Sequence, residues 1–330
     1  MRGATMMLAA GGWNVAPPAD PPALLNDIVA LSPSEAWAVG QTQNHPVIQR
    51  WDGTAWAVVA SPQSTSVIGA ALLGVAAVSP TAAIAVGGAY DRLAGREIPL
   101  VQHWDGTGWT ARKLGPWLDA GYVLTSVAMF SCDDAWAVGH GVPNGPVALH
   151  WDGTSWTRIP TPTPAKGRLL AVAGTSPRDL WAVGANERTP LTMHFDGHAW
   201  RQVRGPSGDR PLTDVVALSD GSAWAAGGGG LLHWNGRRWR RVDAGLNSVN
   251  TLTALSPTDI WAAGGRGEIA HFDGSKWLRT DSPPPLGGSA VWLGATSVAP
   301  GTVWIVGSQQ TGGSSGSPTL HSVTALTQED

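Results

Sequence analysis

Histidine, aspartate and tryptophan recur together along this chain. The stretch HWDGTSW (150 to 156) has close copies in QRWDGTAW (49 to 56), HWDGTGW (103 to 109), HFDGHAW (194 to 200), HWNGRRW (233 to 239) and HFDGSKW (271 to 277). An imidazole beside a carboxylate is equipment for general acid–base catalysis, and several imidazoles brought together would hold a metal. Repetition points to another use. His103, His150, His194, His233, His271 and His321 are read as one equivalent position, with Arg50 in the remaining copy. Repeats arranged in a ring keep such residues a whole unit apart, so they do not converge on one ion. The motif therefore reads as scaffold, with each imidazole buried and bonded to neighbouring backbone. All tryptophans but Trp117 and Trp292 fall at repeat positions, where large rings fill the gaps between facing units. No cofactor and no metal site is expected.

Chemistry is then to be sought where the repeat breaks. The stretch GAYDRLAGREIP (88 to 99) reads as a long loop offering Tyr90, Arg92, Arg96 and Glu97. The connection LGPWLDAGYV (114 to 123) adds Trp117, Asp119 and Tyr122, and Trp292 opens a strand outside the repeat pattern. Exposed rigid rings beside charges would make a recognition surface for a small molecule, a glycan or a protein. His140 stands where other units have Gln, Gly, Ala or Ser. A second candidate is the first-strand position held by Asp27, Gly74, Ser126, Ala171, Asp214, Thr251 and Gly294, which alternation places near a central channel. Asp27 and Asp214 come from nearly opposite units. With His140 they form the candidate catalytic set, as paired carboxylates able to serve as acid and base.

The elements that must position these residues are short strands. Each unit begins with an apolar run such as DIVAL (27 to 31), ended by a Ser-Pro-x-Asp turn such as SPRD (176 to 179). A second strand of the AWAVG type closes on glycine. After a variable loop, the third strand ends in Asp-Gly, a strong hairpin signal, and the fourth opens on tryptophan. No segment has helical periodicity. The second strands begin at Trp37, Ile84, Trp136, Trp181, Trp224, Trp261 and Trp304, which predicts an all-β, seven-bladed propeller of four-stranded antiparallel blades. The blades are expected at about 24–62, 72–116, 124–162, 169–206, 212–245, 250–283 and 292–326 of a single 1–330 domain. The last lacks a fourth strand, and GGWNVAPP (11 to 18), within an N-terminal strand at about 5–18, is expected to supply it and close the ring. In such blades the loops alternate between two faces. The uniform turns share one face and the variable loops the other, where a site is expected.

Gly-Gly after the second strand, an aromatic-Asp pair ending the third and a tryptophan opening the fourth resemble the kelch repeats of bacterial galactose-oxidase-like propellers. VGG (86 to 88) followed by HWDGTGW (103 to 109) is the best match. The turn is loosely similar to the Asp-box of sialidase-type propellers, with its Asp, Gly and Trp at different spacing. The resemblance implies the fold across the whole chain. It does not imply copper chemistry, because Tyr90, Tyr122 and Cys132 do not fall where that chemistry needs them.

Composition narrows the partners. The net charge of -3 in 330 residues is close to balanced, and the sequence is read as offering no run of basic residues to grip phosphates, so nucleic acid is not expected. One cysteine precludes an internal disulfide. The most apolar stretch, IGAALLGVAAV (68 to 78), is too short to span a bilayer. The N-terminus lacks a proper signal-peptide core, so a cytoplasmic monomer is the default, with secretion open if a leader is missing. Two functions follow: a binding module using the variable face (88–99, 114–123 and 140–146), or a hydrolase or lyase at the channel mouth.

Overall fold

The computed structural model describes residues 4–5, 13–15, 19, 23–43, 45–62, 67–115, 121–141, 145–162, 166–208, 210–280, 290–311 and 319–327. It is a β-propeller. Six sheets are blades of four antiparallel strands in consecutive order. Blade 1 consists of Leu24–Ser32, Glu35–Thr42, His45–Trp51 and Trp56–Val59. Blades 2 to 6 repeat this plan from Val67, Tyr122, Gly167, Leu212 and Thr251 onward. The first strands lie beside one another around the axis, and the fourth strands form the outer edges.

The expectation of seven such blades is corrected here. The six blades are joined by a sheet built on another plan, with five strands drawn from both ends of the chain. Ala290–Ala299, Thr302–Thr311 and Thr319–Thr327 are antiparallel to one another. Asn14–Val15 then pairs antiparallel, and Ala4–Thr5 parallel, with successive parts of Thr319–Thr327. A repeat count taken from second strands alone does not register this, because the two short N-terminal strands carry no complete repeat signature. Among the described residues, no helix is long and apolar enough to cross a membrane.

Local chemistry explains the regularity of the blades. In the first turn the serine hydroxyl accepts the amide two residues on, as Ser32 does from Ser34 (3.2 Å) and Ser176 from Arg178 (3.3 Å). In the third-to-fourth turn the aspartate accepts two amides, as Asp152 does from Thr154 (2.9 Å) and Ser155 (2.8 Å), while Gly153 takes a positive φ of 89°. The two turns touch, for the Trp51 indole donates to the Pro33 carbonyl at 3.1 Å. The glycine closing each second strand is compulsory by close approach. A Cβ on Gly40, Gly139 or Gly307 would lie 1.9, 2.0 or 2.1 Å from a first-strand carbonyl oxygen.

Blades are held to one another by aromatic clamps. Trp37 of blade 1 packs between Trp104 and Trp109 of blade 2, with ring centroids at 4.9 and 5.3 Å. Trp136, Trp181 and Trp224 are clamped in the same way by the next blade. In the terminal sheet Trp304 sits against Trp51 and Trp56 of blade 1, and Trp13 meets Trp261 of blade 6 edge-on at 5.6 Å. These rings join the aliphatic side chains of the same seams in burying apolar area between sheets, which is stabilising.

The motif histidines are scaffold, but their partners differ from the expected ones. His103, His150, His194, His233 and His271 are half-buried rather than buried. His150, His194 and His271 bond through Nε2 to Asp134 (3.0 Å), Asp179 (2.7 Å) and Asp259 (2.9 Å), side chains rather than backbone. The same rings stack on Trp136, Trp181 and Trp261. Arg50 makes the equivalent contact with Glu35 at 2.6 Å. His321 is not equivalent, because it pairs with Gln309, and Leu326 is the residue opposite Trp304.

Candidate functional site

A β-bulge interrupts the first strand just before the ring position, as between Leu25 and Asp27 and between Leu212 and Asp214. Bulges re-aim side chains, and here they aim them at the neighbouring blade. Asp27 accepts the amides of Ile28 (2.8 Å) and of Val75 in blade 2 (2.9 Å). Asp214 accepts Val215 N (2.8 Å), Leu252 N of blade 6 (2.7 Å) and the Thr251 hydroxyl (3.0 Å). Ser126 receives Val172 N in the same manner at 3.2 Å. The residue one step earlier donates across the same seam: the Asn26 amide to Leu72 O (2.8 Å), the Thr125 hydroxyl to Leu169 O (3.0 Å) and the Asn250 amide to Trp292 O (3.0 Å). The small residues of the ring answer to crowding, since a Cβ on Gly294 would meet Asp27 Cα at 2.8 Å.

Asp27 and Asp214 thus link blades. Both are partly accessible from the channel yet enclosed by protein, and this burial raises their carboxyls to about 7 and about 6 against the backbone hydrogen bonds that lower them. The negative field of Asp214 raises Asp27 further. Among the described residues, no cluster of His, Cys, Asp and Glu is arranged to hold a metal.

On the variable face the irregular element is blade 2. Residues 88–99 are not a loop. The strands Ala82–Asp91 and Arg96–Trp104 continue as a ladder through Tyr90 opposite Glu97 and Asp91 opposite Arg96, leaving a short turn. Val67–Ser79 extends alongside them. Asp91 fixes the turn by accepting Leu93 N at 2.8 Å and Ala94 N at 3.2 Å. The raised hairpin bounds a cleft of about 350 Å³ lined by Ile68, Leu73, Ala89, Tyr90, Glu97 and Val123. Gly88 keeps it open, because a Cβ there would strike Val123 at 2.6 Å. Tyr90 is 43% and Leu93 87% exposed, and Arg92 and Arg96 are exposed beside them. The connection to blade 3 docks here, with Gly121 N donating to Glu97 O at 2.8 Å.

The other expected recognition residues divide. Trp117 and Asp119 lie outside the described residues. Tyr122 is not exposed; it begins the first strand of blade 3 and is buried in the core between blades 2 and 3. Trp292 is fully buried between blade 6 and the terminal sheet. Strand alternation turns both rings inward, whereas Tyr122 is expected in a connection and Trp292 as an off-repeat strand residue open to a ligand. His140 ends the second strand of blade 3. Burial lowers its pKa, Arg168 lowers it further and Glu97 opposes. Its Nδ1 is buried without a hydrogen-bond partner among the described residues. Arg168, absent from the sequence reading, therefore belongs to this neighbourhood. Its signal was only a single arginine opening an apolar run.

No protein-family model matches the chain, and a search of curated proteins found no match. Solved structures do resemble it. A structure described as YCF48 bound to D1 peptide has a TM-score of 0.68 at 17% identity, covering 99% of this chain and 100% of that one. YCF48 from Cyanidioschyzon merolae has a TM-score of 0.61 at 17% identity, covering 91% and 97%. A catalytically inactive virginiamycin B lyase from Staphylococcus aureus, solved with quinupristin, has a TM-score of 0.67 at 10% identity, covering 99% and 100%. Likeness at these identities shows the β-propeller fold alone, on which binding proteins and a lyase are both built.

Proposed function

We propose that this protein is a non-catalytic propeller that holds an extended segment of a partner protein on the face carrying the blade 2 hairpin. The observation that carries this reading is the cleft beneath Tyr90, open at the surface, apolar along its floor and bordered by exposed Leu93, Arg92 and Arg96. An open cleft with an aromatic wall and a charged rim suits a peptide, whose side chains occupy it while the guanidiniums meet its polar groups. The YCF48 structure with a bound D1 peptide supports the same use of a related fold.

The lyase or hydrolase reading draws less support. The lone pairs of Asp27 and Asp214 that would serve as acid and base are engaged by backbone amides of adjacent blades. Panning a displayed peptide library tests the binding reading. The wild-type protein should enrich a family of sequences that Tyr90→Ala with Leu93→Ala no longer retains, at an unchanged melting temperature. Enrichment that survives the double substitution, or no enrichment at all, rejects the proposal.

A further inference from the structure

Blade 5 departs from its neighbours at its outer edge. Its third-to-fourth turn and fourth strand read NGRRWRRV (235 to 242), a basic run that the sequence reading absorbed as one more copy of the repeat. Arg237, Arg238, Arg240 and Arg241 are all exposed. The aspartate found at this turn in the other five blades (Asp52, Asp105, Asp152, Asp196 and Asp273) is here Asn235. The turn keeps its form, because Asn235 Oδ1 accepts Arg237 N at 3.2 Å and Arg238 N at 3.1 Å. What is lost is the charge.

Blade 4 shows what that charge does. Arg201 and Arg240 hold equivalent positions, opposite His194 and His233. Arg201 Nε bonds to its own turn carboxylate, Asp196 Oδ2, at 2.9 Å. Arg240 has only the neutral Asn235 amide there. Among the described residues, neither it nor Arg237 nor Arg238 has an ion-pair partner. Arg241 alone is tied down, donating to Gly229 O and Ser207 O, both at 2.9 Å. Three unpaired guanidiniums thus project here, Arg237 and Arg238 from the turn and Arg240 from the strand Trp239–Val242, which forms the open edge of its sheet.

We propose that the outer edge of blade 5 docks an extended acidic segment of a partner protein, independently of the blade 2 cleft. An open edge strand offers main-chain hydrogen bonds to an extended chain, and guanidinium forks pair with carboxylates. The patch is confined to one turn and a four-residue strand of about 13 Å, too short to follow a nucleic-acid backbone. The aromatic ring within it, Trp239, is buried against Trp181 and gives bases nothing to stack on.

The test is fluorescence anisotropy with a labelled peptide of alternating glutamate and threonine, against its glutamine counterpart, at about 0.05 M and about 0.5 M salt. The glutamate peptide should bind and the glutamine peptide should not, with affinity falling as salt rises. Arg238→Glu with Arg240→Glu should weaken binding by about ten-fold or more. Asn235→Asp, which restores the turn charge, should weaken it by about three-fold, while Arg201→Gln on blade 4 should leave it unchanged. Circular dichroism melts confirm folding of each variant. Absence of binding, indifference to the blade 5 substitutions, or tighter binding of a single-stranded oligonucleotide or an anionic phosphatidylserine vesicle would overturn the proposal.

Discussion

Blades 2 and 3 place the same histidine on the same strand and use it differently. In blade 3, His150 stacks on Trp136 and bonds to Asp134. In blade 2 the tryptophan is Ile84 and the acid is Ala82, opposite His103 and Ser79 respectively. Deprived of both partners, His103 turns to the next blade. It meets Trp151 edge-on at 4.8 Å and accepts the Trp156 indole N–H at 3.4 Å. Burial, with Arg112 nearby, lowers its pKa to about 4. The motif is packed differently in the two blades, its partners set by the residues that meet it across the strand and the seam.

The largest expected effect that separates the two blades is truncation of the second-strand residue. Trp136→Ala should cost about 3–5 kcal/mol because Phe195 and Trp200 cannot collapse into the space. Ile84→Ala should cost less, and equal losses by chemical denaturation would show that the clamp is not the main bond between blades. Converting blade 2 toward blade 3 by Ile84→Trp should destabilise by about 1–3 kcal/mol, since Trp151, Trp156 and His103 already fill that seam. A neutral or stabilising result would mean that the seam is underpacked.

Acidity sharpens the comparison further. His103 titrates lower in the folded chain than its ordinary 6.5, so its contribution is present above pH 6.5 and is lost as pH falls through about 4. His103→Phe should reduce acid destabilisation in that window; an unchanged profile of melting temperature against pH would contradict the burial argument. Asp27 and Asp214 run the other way. Folding raises them from 3.8, so their contribution is present below pH 3.8 and is lost as pH rises through about 6 and about 7. Asp27→Asn with Asp214→Asn should flatten the fall in melting temperature between about pH 4 and about pH 7 by a smaller amount, because part of each carboxylate's hydrogen bonding is lost with it. A steeper fall would reject the assignment.

Much of the fold was legible because its signals are local. A serine (in blade 5 an aspartate) capping the amide two residues on and an aspartate (in blade 5 an asparagine) gathering the hairpin turn act within a few residues and recur from blade to blade, as does the glycine ending each second strand. The site was legible only in outline. Tyr90, Arg92, Arg96 and Glu97 stand on the raised hairpin, whereas Tyr122 and Trp292 turn inward because pleat direction depends on register, which bulges shift. Asp27 and Asp214 were placed correctly on the first strands, but their partners, Val75 and Leu252, lie on the next blade.

Taken alone, the sequence determined the turns, most strands of the six blades and the repeat tryptophans at their seams, since hydrogen bonds within a turn and period-two burial need no distant partner. The tertiary structure decided the rest: that the ends of the chain build a five-stranded sheet beside six blades, that two carboxylates accept backbone amides of the next blade, and that one outer turn and strand carry unpaired arginines. These outcomes depend on which groups meet across a seam, and electrostatic and packing energies are set by those distances rather than by residue type.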